Sequence, residues 1–263
     1  MAQHNLNNII IDRVLRGVFS VKDEIVFALN QIQDLSLNQT SESQEITDAL
    51  GVSIAELMRA KSLEASANNA IYDFGLLAAQ YGTEKVEVGS KVVTPTMETF
   101  EVSGATYALK HTPVAGKEPV AIYELNGDST LGAKYVKSEE TSPSATAFTY
   151  ADGTINLPTG IADKTEMFVM YEYETENAIE IVNSANNFAK MGKMVFECLV
   201  FDVCNPEEKM FAYLILPKFQ LSNDFDWSIG GDNQQHPFGG KAHVDYCSKD
   251  KQMLRIVVVD DED

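Results

Sequence analysis

The chain has 263 residues, 44% of them hydrophobic, enough to bury a substantial core in one or two domains. Thirty-nine acidic residues against twenty basic ones leave a formal charge of −19, which opposes any role that depends on gripping phosphates. No run approaches the roughly 20 apolar residues of a membrane span, and the polar opening Met1-Ala2-Gln3-His4-Asn5 does not read as a secretory signal, so a soluble chain made in a cytoplasm, without a membrane partner, is expected.

After a polar lead-in from Asn5 to Asn8, Ile9-Ile10-Ile11 with Val14, Leu15, Val18 and Phe19 opens the ordered part; an amphipathic strand and a short helix both fit. Glu24 to Asn30 reads as a strand, with Ile25, Val26, Phe27 and Leu29, and Ile32 to Asn38 as a second, more polar one. The hydrophilic run from Gln39 to Glu45, continuing through Ile46 to Gly51, predicts a long loop, and loops of that length inside a compact domain are usually functional or disordered. Strand character returns at Lys61 to Ala65. One helix is expected, with Ala67, Ala70, Ile71, Phe74, Leu77, Ala78 and Tyr81 at helical spacing, Ser66 or Asn68 to cap it and Gly82 to end it. Its apolar stripe reads as core laid on a sheet, and Gly75 marks a close approach.

The texture changes at Val92-Val93-Thr94-Pro95-Thr96. Short strands then follow at Thr106 to Lys110, Val120 to Leu125, Ala133 to Val136, Ala147 to Tyr150, Thr154 to Leu157 and Met167 to Tyr173. Turn signals separate them, Asp152-Gly153 being a good hairpin cue. Regular spacing of this kind predicts a small Ig-like β-sandwich. Because a strand-rich framework resumes near Asn177, the sandwich reads as an insertion. The expected division is 1–94 for the first part of the framework, 95–176 for the insertion and 177–263 for the second part.

From Lys193 the framework alternates, with Met194, Phe196, Cys198 and Val200 on one strand face and Val195, Glu197, Leu199 and Phe201 on the other. With both faces apolar, burial on both sides is expected. Asn205-Pro206-Glu207-Glu208 supplies a turn, and Lys209 to Leu216 returns as a strand stopped by Pro217. After the Gly-rich segment from Ser228 to Asn233, strands are expected at Lys241 to Tyr246 and Gln252 to Val259, with Gly239-Gly240-Lys241 as a turn into the first. The fold class is therefore mainly β with one packed helix.

Chemistry is sparse in this sequence. Phosphate-loop, nucleophile-elbow and zinc-protease signatures are absent, and the four histidines are scattered. A zinc site from Cys198, Cys204, Cys247 and His243 is conceivable, but three cysteines without a Cys-x-x-Cys pair read as buried free thiols. Glu172 and Glu174 share a strand face, a coincidence expected in so acidic a chain. Trp227 reads as a core plug or an interface anchor, and Asp260 to Asp263 as a solvated tail. We therefore expect no catalytic site, no cofactor and no metal.

The order of the pieces resembles the tail tube (major tail) proteins of bacteriophages. Leu35 to Leu50 resembles the strand and long loop at the start of tube subunits, and Lys61 to Gly82 the strand leading into their single packed helix. Val203 through Pro217 and Lys218, then Pro237-Phe238 and Ala242, resemble their closing hairpin, proline stop and final strands. The resemblance implies a tube-like β-sandwich or barrel whose subunits form stacked hexameric rings around a DNA conduit. It implies inter-subunit contacts through Gln39, Ser41, Glu42, Glu45, Ile46 and Ile54 in the long loop and Ile9 and Ile10 at the start, with Asp34 and Glu64 among acids facing an acidic lumen. Implied partners are further copies of the chain, a tail sheath, and baseplate or tape-measure proteins, in a virion tail assembled in the host cytoplasm. The inserted module also resembles β-sandwiches on virion exteriors, which keeps a capsid or head-decoration protein open beside a small-ligand binder on a β scaffold.

Overall fold

The computed structural model describes residues 6, 8–203, 207, 209–226, 230, 234–246 and 249–259. His4, Cys204, Cys247, Trp227 and the terminal run Asp260 to Asp263 lie outside them, as do most of the turn after Val203 and of the Gly-rich segment.

The residues divide into two compact units, one formed by residues 1–85 with 181–263 and one by residues 86–180. The first opens with β1 (Ile9–Val21), β2 (Glu24–Leu29), β3 (Ile32–Thr47), β4 (Ser53–Asn69) and helix α1 (Phe74–Tyr81). The second holds β5 (Val92–Glu101), β6 (Thr106–Ala108), β7 (Ala121–Leu125), β8 (Leu131–Lys137), β9 (Ala147–Ala151), β10 (Thr154–Asn156) and β11 (Glu166–Thr175). The first then resumes with β12 (Met191–Asp202), β13 (Lys209–Leu221), β14 (His236–Ala242) and β15 (Arg255–Val259). Beyond the span 95–176 expected for the insertion, the compact unit takes in the bridge Val86↔Glu180 and the first residues of β5.

In the first unit the strands follow the order β2-β1-β12-β13-β14-β4-β3, with β15 also on β13. Met194, Phe196, Cys198 and Val200 in β12 and Met210, Ala212, Leu214 and Leu216 in β13 alternate onto one buried face. Each large side chain so buried stabilises the fold by about 1.5–3 kcal/mol. The other face of β12 is covered less than the apolar pattern predicts, since Val195, Glu197 and Phe201 stay half-buried while Leu199 is buried. The sheet curls: Ile32 of β3 brings its Cδ1 within 2.5 Å of where Gly17 of β1 would carry a Cβ. Strands far apart in the path thus share one core.

The opening residues form a strand, β1, and not a helix. Pro217 does not stop β13 either, because the strand runs on to Leu221. Met194 pairs with Leu216 and Gly192 with Phe219, so Pro217 and Lys218 oppose Lys193 alone in a bulge. A missing N–H costs little where the ladder is already interrupted. The far edge of β13 is then shared, Phe219–Leu221 pairing with β14 and Phe211–Ile215 with β15. Gly239 and Gly240 lie within β14, which starts earlier than predicted and ends at Ala242. Gly240 is there for close approach, since a Cβ would collide with the Gln220 carbonyl oxygen and sit 2.7 Å from the Phe219 ring.

The helix is shorter than predicted. Leu63, Ala65, Ala67 and Asn69 are buried alternately in β4, so Ala67 and Asn68 belong to a strand, and the chain turns before the helix begins. Asp73 caps α1, its Oδ1 accepting from the Leu76 N–H at 2.7 Å, and Gly82 ends it at φ 68°. Gly75 meets β2 closely, as its spacing implied: a Cβ would lie 3.2 Å from both Phe27 Cβ and the Val26 oxygen.

The second unit follows one path, β5-β11-β7-β8-β9-β10-β6. Ile122, Phe148, Ile155, Met167 and Val169 are fully buried in its core. Asp152 and Gly153, at φ 47° and 79°, make the left-handed turn that the hairpin between β9 and β10 requires. The path folds over until its two end strands meet side chain to side chain, with the rings of Phe100 in β5 and Tyr107 in β6 stacked 3.7 Å apart.

Candidate assembly surface

The run from Gln39 to Gly51, expected as a loop, is the outer half of a long antiparallel hairpin formed by β3 and β4. The two strands pair from Ile32↔Asn69 to Thr47↔Ser53. Near the base, Ile32, Leu63, Ala65 and Ala67 face the core. Beyond Asn38 and before Ser62 every described residue of both strands is exposed. A ribbon with water on both faces has no apolar side to alternate, so its sequence shows no strand period.

Asp48 holds the tip in place. Its Oδ1 accepts from the Leu50 and Val52 N–H groups at 2.8 Å each, its own N–H donates to the Val52 oxygen at 2.8 Å, and Gly51 turns the chain at φ 80°. The tip presents Leu50, 88% exposed, beside Val52, Ile54 and Met58, each 60% exposed or more. Across the ribbon Ile46 opposes Ala55, and Gln44 opposes Leu57 while accepting a hydrogen bond from Arg59 Nη2. On the reverse face Ser43 opposes Met58 and Glu45 opposes Glu56, a like-charge pair that is destabilising in isolation. A lone two-stranded ribbon is marginal in water, and this one exposes apolar side chains on both faces.

Of the residues singled out by resemblance, Gln39, Ser41, Glu42, Glu45, Ile46 and Ile54 all fall on this ribbon. Ile9 and Ile10 lie apart from it in β1, pairing with Asp202 and Phe201. Ile9 packs against the core and Ile10 is 52% exposed. Only Gly17 to Val21 of β1 pairs with β2, so the segment from Ile9 to Arg16 has one edge without a partner strand among the described residues. Leu57, Met58 and Arg59 also fall on the ribbon, beyond the residues that the resemblance implied, and no strand period in the sequence marks them.

Asp34 is exposed at φ 54°, where the β3 register shifts between Gln33 and Ser36. Glu64 is exposed opposite Asn38, with Lys241 Nζ 3.7 Å away. Glu64 lines an open depression of about 920 Å³ with Ser36, Asn38, Ser66, Gln220 and Lys241. Asp34 is not among its lining residues. Ala65, Leu221 and Phe238 of the core also line the depression, and the Glu64–Lys241 ion pair is of the exposed kind worth at most about 1 kcal/mol.

Several titratable groups are bound up in structure. Glu172 and Glu174 are each held by a lysine, Lys117 at 3.1 Å and Lys91 at 2.7 Å. Buried Glu98 accepts from the hydroxyls of Tyr107, at 2.8 Å, and Tyr171, and from the Lys110 N–H at 3.1 Å. Burial and the bond to Glu98 push Tyr107 up to about 12 and push Tyr171 up as well, so both remain donors. Buried His236 accepts from the Asp73 N–H at 3.3 Å and meets Gln80 Oε1 at 2.9 Å. Burial lowers its pKa, partly opposed by Asp73. Cys198 is a buried free thiol, pushed up by burial and by Glu197. Among the described residues no group of three His, Cys, Asp or Glu side chains is placed to hold a metal, and no helix is long and apolar enough to cross a membrane.

A mainly-β chain that holds an apolar-tipped ribbon in order away from its core, with buried Glu98, Tyr171 and His236 hydrogen-bonded within the fold, has the build of a structural subunit. Residues 10–256 match the profile of the YomU/Tube protein family, and the chain belongs to that family. It is a phage tube-like structural protein, of the kind found in virion tails. Comparison with curated proteins finds no match.

Proposed function

We propose that copies of this chain form hexameric rings that stack into the tail tube of a bacteriophage, the conduit through which its DNA is delivered. The single observation that carries this reading is the ribbon from Gln39 to Ser62, ordered at its tip yet uncovered on both faces. A neighbouring subunit or ring supplies the cover, with Gln39, Ser41, Glu42, Glu45, Ile46 and Ile54 in the contact. The free edge of β1 at Ile9 and Ile10 takes part in the same way, because a closed ring satisfies strand edges that a lone subunit leaves open. The acidic excess lines the lumen in part, through residues such as Asp34 and Glu64, so that DNA slides past without binding. Lys241 offsets part of the Glu64 charge, which makes Asp34 the stronger contributor of the two. A tail sheath, baseplate and tape-measure proteins are the further partners, in a tail assembled in the host cytoplasm.

Negative-stain electron microscopy of the purified chain over a concentration series tests the proposal. Six-fold rings or hollow tubes are expected. They should vanish when Ser41 to Lys61 is replaced by Asn-Gly, which joins the directly paired Thr40 and Ser62 through a tight turn. Monomers at every concentration that instead bind purified phage heads would turn the assignment to a decoration protein.

A further inference from the structure

The 86–180 unit carries an uncovered face on the side of its sheet opposite its core. Across four strands, Met97 in β5 opposes Met170 in β11, and Ala121 in β7, next in register, opposes Val136 in β8. Met97 is 65% exposed, Met170 49% and Val136 47%. Beside this row Phe168 opposes Tyr123, both half-buried. Strand surfaces facing water favour β-branched and polar side chains. Paired exposed methionines are instead characteristic of surfaces that adapt to a partner.

The borders of the row differ in charge. On one side Glu172 and Glu174 are neutralised by Lys117 and Lys91. On the other side Lys134 lies 6.0 Å over the Tyr123 ring, and beyond that row Glu101 directly opposes Glu166, with no ion pair to either among the described residues. Two carboxylates facing each other across a ladder destabilise it, and a cation between them removes the repulsion. Acidic residues outnumber basic ones by more than two to one between 86 and 180, so a second copy laid on this face brings like charge to like charge.

We propose that this outer face is a docking surface for a segment of another protein that has an apolar stripe and basic residues at the end lying over Glu101 and Glu166. Such a partner matches both the adaptable apolar row and the unneutralised acid pair. The face shares no residue with the assembly ribbon, so its test stands whether or not the ring proposal holds.

The probe is an 18-residue amphipathic peptide of leucine and lysine, titrated into the full-length chain by calorimetry. Saturable binding is expected, absent for a peptide with glutamate in place of lysine and for a lysine peptide with no apolar stripe. Met97→Thr with Met170→Thr should weaken it at least tenfold. Glu101→Gln with Glu166→Gln should weaken it several-fold and flatten its dependence on salt. All four substitutions face outward on strands, and circular dichroism checks that the fold is kept. Equal binding by the methionine variant and the wild type would overturn the proposal. So would self-association, by sedimentation, that the methionine substitutions abolish, because the face would then belong to a second copy.

Discussion

The two units close their sheets in opposite ways. In the 86–180 unit the path folds over until β5 meets β6, and the seam is sealed by the Phe100 and Tyr107 rings and by the Glu98 carboxylate, which takes two tyrosine hydroxyls and a backbone N–H. The other unit curls around a larger core but leaves a stretch of β1 without a neighbour among the described residues, and it sends β3 and β4 out beyond any core. One sheet completes itself, whereas the other leaves a strand edge and a ribbon uncovered among the described residues. If the ring proposal holds, the difference separates residues that keep the fold from residues that serve assembly.

Replacing Ser41 to Lys61 by Asn-Gly is the sharpest test of that separation. Assembly should be lost entirely, while the melting temperature of the monomer by calorimetry stays within a few degrees, because no buried residue is removed. Phe196→Ala should do the reverse. Phe196 is 1% exposed in the framework core, so the loss should be about 3–5 kcal/mol by urea denaturation, with assembly falling only as the folded population falls. Glu98→Ala leaves the hydroxyls of buried Tyr171 and half-buried Tyr107 without their acceptor and should cost about 1–3 kcal/mol, confined to exchange-protected amides of the 86–180 unit. An equal loss of protection in the framework would break the contrast between the units.

The smallest effect comes from His236. Its folded pKa lies below the ordinary 6.5 because burial disfavours the charged ring, so between the two values the unfolded chain binds the extra proton. The stability His236 contributes is present above pH 6.5 and falls as the pH drops through and below it. Urea midpoints measured from pH 7.5 to pH 5 should fall in the wild type and fall less in His236→Gln.

Where sequence and structure agree, a physical period was present to be read. Met194, Phe196, Cys198 and Val200 alternate because one face of β12 is dry, and Asp152-Gly153 announces a turn because few other residues accept positive φ at both positions. The ribbon was illegible as a strand pair for the opposite reason: with no buried face, nothing selects alternating apolar residues. The start of the helix was misread because Ala67 is compatible with both a 3.6-residue and a 2-residue period, and Asp73 was the better cap signal. Glu98 looked like one acid among thirty-nine. Its burial depends on Tyr107 and Tyr171, and Tyr171 is 73 residues away in the chain, a distance over which sequence pattern carries no information.

The bridge between Val86 and Glu180 bears on the order in which the chain can fold. Framework strand β1 must wait for β12, since Ile9 pairs with Asp202, and such remote pairings are slow because a long loop has to close first. The 86–180 unit is continuous in sequence and leaves the ribosome ahead of β12, so it is free to fold first. Once it has folded, its tied ends bring Lys85 and Ile181 together, so the loop that β1 and β12 must close is shortened by the whole insertion. An inserted unit that folds first would act as a folding clamp, and its completion should speed collapse of the framework.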